Sequence, residues 1–438
     1  MHARDYFEGI SFRWHLRESL SRPENVIALI VTCGFLVNVQ QGADTNAILR
    51  DDPLIFKGIR VLTILLGGLL ALSTVMRRRI PYAVCLAGVM FPLTLYFCSC
   101  VLSVPFSAYP LLSLFKAGEI GLVVLVCLIG ITSAAGPSDF FHLNIKIILV
   151  YNVIVWVESV LFPGLAWVPL RGEMPLFGHA LSGVFPVING NTVGLFGAVL
   201  FLAYLPKLCE PSPWTVGRVW PALLGLASVV CSYSRVSLLG LAVATAGSLL
   251  LLKRYAMGCA MILCLLFLGT SERVRTLAVE HLARGQEDRN LDTFFSHRLE
   301  MWDRVLNDYG ISIVGRGYAA GFRYDDSLAV GHAHNSLVEL YFNVGLVGVA
   351  TWLFFIGTVC NRLYRLLRAQ PTVDYELVAV AGVMIFLLMK TLAATVFVYL
   401  DAGMLIMAGV VIYVVRRLTA AEQEGRLMDR RHAFSPSY

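Results

Sequence analysis

Long, unbroken apolar blocks limit what this chain can fold into more tightly than any motif in it. The blocks run to roughly 17–25 residues, the length of helix that crosses about 30 Å of hydrocarbon at about 1.5 Å per residue. Inside a bilayer every backbone amide must be satisfied without water, which leaves helices or closed barrels. The blocks are continuously apolar rather than alternating, so helices are expected. Composition agrees: 57% of the 438 residues are hydrophobic and 15% charged, against roughly 45–50% and about 25% in soluble domains. The expected fold class is an all-α polytopic membrane protein.

Twelve spans are expected, near 26–39, 61–76, 82–103, 112–132, 143–163, 188–206, 217–232, 236–252, 255–270, 335–360, 375–394 and 396–417. The polar break Ser232-Tyr233-Ser234-Arg235 divides 217–252 into a tight hairpin. Lys and Arg in short loops set orientation. Arg4, Arg13, Arg17 and Arg22 precede the first span, and alternate later loops carry Arg77-Arg78-Arg79, Lys207 and Arg218, Lys253-Arg254, and Arg362, Arg365 and Arg368. The tail adds Arg416-Arg417 and Arg430-Arg431, whereas 104–111 and 395–400 are nearly free of positive charge. An even number of spans puts all the basic segments on one face, the cytoplasmic one, with both termini. It puts 40–60, 164–187, 233–235 and 271–333 on the other.

The net charge of +6 is accounted for by these loops and calls for no nucleic-acid partner. All ten cysteines lie in or beside apolar blocks and none lies in 271–333, which argues against a disulfide-built exported domain. No cleavable signal peptide is expected before the first span. The chain then divides into helices one to nine over 1–270, a large outer loop over 271–333, the last three helices over 334–417 and a cytoplasmic tail over 418–438. No internal repeat or low-complexity segment is evident.

The loop 271–333 is expected to be partly helical. Ser271-Glu272 can cap a short amphipathic helix ending near Gly285, and a second helix is expected around 296–308. Gly315, Gly317 and Gly321 then turn the chain. The loop contains Arg273, Arg275, Arg284, Arg289, Arg298, Arg304, Arg316 and Arg323 and no lysine. Guanidinium groups grip phosphate oxygens as a planar fork, where lysine offers a point charge. Two readings stay open: a grip on an anionic phosphate, or surface pairing with Glu280, Glu287, Asp288, Asp292, Glu300 and Asp303. Arg235, in the turn between two spans, is either functional or a snorkelling interfacial residue. His334 ends the loop at the mouth of the next helix, where a neutral imidazole can take a proton from a hydroxyl nucleophile. Helix capping and surface exposure are its alternatives, and His332 competes with it.

Other polar residues within or at the ends of the apolar blocks are Lys116, Glu119, Glu158, Asn189, Asn191 and Lys390, each costly to bury. Lys116 and Glu119 are spaced to pair on one helix face. No metal-ligand pattern is evident beyond Asp325-Asp326, a weak one.

His334-Asn335 followed by Gly345-Leu346-Val347-Gly348 resembles the histidine motif of the O-antigen ligase and polymerase superfamily. Arg298 and Trp302, then Gly315-Arg316-Gly317, are similar to the pattern in that family's long outer loop, and Ser232-Tyr233-Ser234-Arg235 is similar to its serine–arginine turn. The order of these motifs and the expected topology agree with the family over most of the chain.

The resemblance implies a GT-C-type glycosyltransferase of the bacterial inner membrane, with its active site facing the periplasm and no metal or other cofactor. Such enzymes take a glycan from undecaprenyl pyrophosphate; ligases pass it to the lipid A–core oligosaccharide, polymerases to another lipid-linked repeat. The implied catalytic residue is His334, with Arg235 and Arg298 on the pyrophosphate and Asn335, Trp302, Arg316, His332 and Asn191 in support. The ligase is the expected activity. The alternatives are the polymerase and, from another class, a secondary transporter with Lys116, Glu119, Glu158 and Lys390 along its path.

Overall fold

A computed structural model of the chain describes residues 26–27, 54–133, 136–169, 178–185, 187–270, 298–307, 310–321 and 333–433. The side chains of 54–57, 59–60, 262, 264–270, 298–300 and 423–433 are outside that description. The expected helix after Ser271, the contact at Asp325-Asp326, His332, and all but two residues of the first expected span also lie outside it.

The described chain is mostly helical. The helices of ten or more described residues are α1 Leu54–Arg77, α2 Met90–Leu102, α3 Pro110–Thr132, α4 Asp139–Leu161, α5 Gly190–Cys209, α6 Val216–Cys231, α7 Arg235–Leu251, α8 Tyr255–Thr270, α9 Arg298–Asn307, α10 Ser336–Ala369, α11 Tyr375–Thr391 and α12 Ala402–Ala433. Each expected span from residue 61 onward contains one of them. Five of these segments are long and apolar enough to cross a bilayer: α3, α4, α5, α10, and the Ala402–Glu422 part of α12. Val61–Arg77, Met90–Phe106, α6 and α7 are shorter and apolar. Leu62, Leu65, Leu69, Leu72 and Met76 stand exposed along α1. Water would penalise such a stripe at about 25 cal/mol per Å², whereas lipid tails would not.

Two helices form the centre. α12 packs on α3, α4 and α10, and its run Val410, Val411, Ile412, Tyr413 and Val414 is sealed on every side. α5 packs on α4, α6, α7 and α11. Where it crosses α6, a side chain at Gly197 or Gly225 would strike the partner's backbone. Without a hydrophobic drive between helices in lipid, such close approach supplies the van der Waals contact that holds them.

Three expectations need correction. The block 82–103 is not one helix: a 3-10 turn, Tyr82–Leu86, ends at an extended Ala87 before α2 begins. The block 396–417 starts its helix only at Ala402, because Phe397 takes a left-handed φ of 54°. The chain is also not wholly α-helical. Trp167–Pro169 pairs antiparallel with His179–Leu181 in a two-stranded sheet between α4 and α5.

Hydrogen bonds identify the two ends of the bundle. At one end the basic loops are knitted together. Arg218 pairs with Glu210 at 3.1 Å, Arg254 donates to the Cys209 carbonyl at 3.2 Å, Arg416 donates to the Gly136 carbonyl at 2.9 Å, and Arg417 pairs with Asp374. The two-stranded sheet, His334 and the segment 392–401 lie at the opposite end.

The part of that segment around Val396, Phe397 and Val398 is buried yet non-helical, which a lipid-exposed backbone could not be. Side chains satisfy it: the Tyr96 and Tyr318 hydroxyls donate to the Val398 carbonyl. The Ser336 hydroxyl engages the Ala394 and Val396 carbonyls and accepts from the Val396 N–H.

Candidate active site

The site is organised around a break in α10. Gly345 adopts φ 71°, ψ −166°, inside what is otherwise a continuous helix. Only glycine occupies that region without strain. The break opens two helical hydrogen bonds, those from the N–H groups of Leu346 and Val347 to the carbonyls of Phe342 and Asn343. The segment 312–317 of the long loop fills the gap. Leu346 N–H donates to Ser312 O at 3.0 Å and Val347 N–H to Ile313 O at 3.1 Å, while Arg316 N–H reaches Phe342 O at 3.1 Å and Gly317 N–H reaches Asn343 O at 3.0 Å. Four backbone groups are thereby paired, and the carbonyls of buried Phe342 and Asn343 would each cost roughly 1–3 kcal/mol if left without a partner.

The fit is backbone against backbone. A Cβ on Gly345 would lie 2.6 Å from Gly315 N, and one on Gly315, at φ 78°, would lie 2.5 Å from the Asn343 carbonyl. The two glycine motifs of the sequence are thus the two halves of one joint, which seats the loop on the histidine-bearing helix.

α9 docks just above the joint. Met301 and Val305 form a small core with Ala333 and Phe342, flanked by Trp302, Val338 and Tyr341. The Trp302 indole N–H donates to the Ala333 carbonyl at 2.8 Å. Arg298, one helical turn before Trp302, begins α9 on the same face; its side chain lies outside the described residues. Arg316 is exposed on the joint, its guanidinium 5.4 Å from the centre of the Phe342 ring.

His334 is not the cap of α10. Asn335 is: its side chain accepts from the N–H groups of Leu337 and Val338 at 2.9 and 3.2 Å, and donates to the Leu392 carbonyl at 3.0 Å. His334 sits one residue outside the helix, exposed, with a left-handed φ of 52°. For a side chain with a Cβ that conformation costs about 1–2 kcal/mol and has to be held by its surroundings.

Arg235 is the first residue of α7, half-buried, directly after the cap Ser234. Short links bring it to the end of the bundle that carries His334. Ser237, two residues on, accepts from Lys390 Nζ at 2.9 Å. Lys390 also donates to the carbonyl of Asn191, at 2.9 Å, in the first turn of α5. Two residues beyond Lys390, the Leu392 carbonyl accepts from Asn335, the neighbour of His334. The ends of α5, α7, α10 and α11 therefore meet here. His332 is outside the described residues.

Glu339 and its partners are what sequence reasoning missed. Its side chain, 1% exposed, accepts from the Ala333 N–H at 2.5 Å, from the Tyr399 hydroxyl and from Thr395 at 3.4 Å. Tyr399 in turn accepts from Asn343 at 2.6 Å. The sequence signal was available: an acidic residue in the first turns of an apolar span.

Of the other charged groups, Lys116 pairs with Glu119 at 2.9 Å. Glu158 accepts the N–H groups of Val184 and Phe185 at 2.8 and 2.6 Å, tying down the turn that follows the sheet. Lys116–Glu119, Glu158 and Lys390 thus serve separate local contacts. Among the described residues no three of His, Cys, Asp and Glu are grouped to hold a metal ion.

No curated protein matches the chain. Residues 220–353 match a family described as O-antigen ligase. The match runs from α6 into α10, and so takes in Arg235, α9, the glycine joint and His334. It supports membership of the O-antigen ligase and polymerase superfamily, a group of glycosyltransferase-like membrane proteins.

Proposed function

We propose that the protein is a lipopolysaccharide O-antigen ligase with a GT-C-type fold. In this reading it transfers O-antigen polysaccharide from undecaprenyl pyrophosphate to the lipid A–core oligosaccharide at the periplasmic face of the bacterial inner membrane. The observation that carries the proposal is His334, exposed in a strained conformation at the end of the bundle where α5, α7, α10 and α11 meet, within the stretch that matches the family.

The chemistry needs little more. Pyrophosphate is already a good leaving group. Neutral His334 takes the proton from the acceptor hydroxyl as that oxygen attacks the anomeric carbon. The electron pair of the breaking bond goes to the pyrophosphate, where Arg235 and Arg298 meet the developing charge. Preorganised donors in a water-poor site contribute roughly 3–4 kcal/mol each. Attack opposite the leaving group inverts the anomeric centre in one step, with no covalent glycosyl-enzyme and no metal ion. Asn335, Trp302 and Arg316 hold the elements around His334, and Asn191 joins α5 to Lys390.

The test is purified protein in liposomes with undecaprenyl-pyrophosphate-linked glycan and two competing acceptors, lipid A–core and a second lipid-linked glycan. Extension of lipid A–core is expected. Extension of the lipid-linked glycan instead would make the protein a polymerase, and extension of neither would refute glycan transfer. The transporter alternative gains nothing from the structure, since the charged groups it would string along a path serve separate local contacts.

A further inference from the structure

The residue before His334 is held from both sides by side chains, one from α9 and one from α10. Trp302, on α9, donates to the Ala333 carbonyl at 2.8 Å. Glu339, one turn into α10, accepts from the Ala333 N–H at 2.5 Å. Ala333 itself is fully buried, in the small core beneath α9. The carbonyl that Trp302 engages belongs to the peptide joining Ala333 to His334, so fixing it fixes the axis about which the φ of His334 turns. On the other side Asn335 is fixed by its own helix and by Leu392.

We propose that Glu339, acting with Trp302, is a positioning residue for His334. Trp302 holds the carbonyl of the Ala333–His334 peptide and Glu339 holds the N–H of the peptide before it, so that Ala333 is fixed on both sides and the imidazole is presented at one angle, in a conformation that an untethered histidine would leave. Through Tyr399, which donates to the other oxygen of Glu339, the same carboxyl group ties the Ala333 N–H to the non-helical segment 392–401. Glu339 is buried and the imidazole is exposed, so its effect reaches the acceptor through backbone geometry.

The inference rests on His334 being the acceptor's base. A base must stand within about 3 Å of the proton it takes, and a misplacement of about 1 Å costs about 10²-fold in rate. Loss of the clamp should therefore lower kcat with little change in the donor KM, since the diphosphate is gripped elsewhere.

A double-mutant cycle on the full-length protein in liposomes separates positioning from general destabilisation. The variants are Glu339→Leu, His334→Ala and the double variant, assayed with undecaprenyl-pyrophosphate-linked glycan and lipid A–core. Expected is a loss of about 10²-fold for Glu339→Leu in the presence of His334 and almost no further loss when His334 is already alanine, because residues acting as a unit are non-additive. Equal losses in both backgrounds would show that Glu339 only stabilises the fold and would overturn the proposal. If Glu339→Leu does not accumulate, Trp302→Phe removes only the other half of the clamp and enters the same cycle with the same criterion. Wild-type turnover by His334→Ala alone would instead bring down the reading of His334, an outcome distinct from additivity.

Discussion

At the scale of single residues, the proposed mechanism depends on donors whose shape matters as much as their charge. Arg298 begins the helix that carries Trp302, and Trp302 bonds the residue next to His334. Arg298→Lys keeps the positive charge and removes the planar fork, so turnover is expected to fall by about 10-fold or more. Initial rates on the lipid-linked donor check this, and a wild-type rate would assign Arg298 to a surface ion pair. The sequence singled out His334 and Arg235 because their residue types are expensive or conspicuous where they stand, and Trp302 entered through the family resemblance. Glu339 was not, although it is the more deeply buried charge: its partners Ala333, Thr395 and Tyr399 approach from two segments that sequence reading treats separately. The cap of α10 was left open for the same reason. A histidine at a helix entrance reads as a cap until the neighbouring asparagine is seen to make both bonds.

At the scale of elements, lipid makes helices easy to find and their interruptions hard to find. Backbone satisfaction forces an apolar block into a helix whatever it packs against, which is why each block from residue 61 onward contains one. The break at Gly345 lies inside such a block and leaves hydropathy unchanged. It exists because the outer loop supplies the missing hydrogen bonds, a non-local fact. The non-helical stretch before α12, where Phe397 turns left-handed, is satisfied in the same non-local way: tyrosines and a serine from elsewhere pair the carbonyls of Ala394, Val396 and Val398.

The joint makes a sharp expectation. Gly345→Ala adds a Cβ where Ile313 and Gly315 already stand and forces a side chain into a glycine-only conformation. It should destabilise the protein by at least about 1–3 kcal/mol and abolish transfer. Gly357→Ala, in the same helix, has nothing within 4 Å of the new atom and should be neutral or stabilising. Thermal unfolding of both variants in detergent decides it. Equal melting temperatures would mean that the loop does not seat on the break.

For the whole molecule, the arrangement puts the basic loops at one end and His334 at the other. The knitted basic loops mark the end expected to face the cytoplasm, and the opposite end carries the sheet and His334. A cysteine replacing exposed Thr215 should be closed to a membrane-impermeant maleimide in cells with a permeabilised outer membrane, whereas one replacing exposed His179 should be labelled. The reverse pattern would turn the site toward the cytoplasm and away from a periplasmic acceptor. Transfer in EDTA should match transfer without it, and a loss restored by a divalent ion would overturn the metal-free mechanism.

The central claim is that an imidazole at the non-basic end of the bundle drives glycan transfer from a lipid diphosphate. Its most direct test is the rate at which wild-type protein and His334→Ala, reconstituted in equal amounts, move labelled glycan from undecaprenyl pyrophosphate to lipid A–core. Expected is a fall of about 10²–10⁴-fold in the variant, with membrane insertion and melting temperature unchanged. Transfer by His334→Ala at the wild-type rate would contradict it.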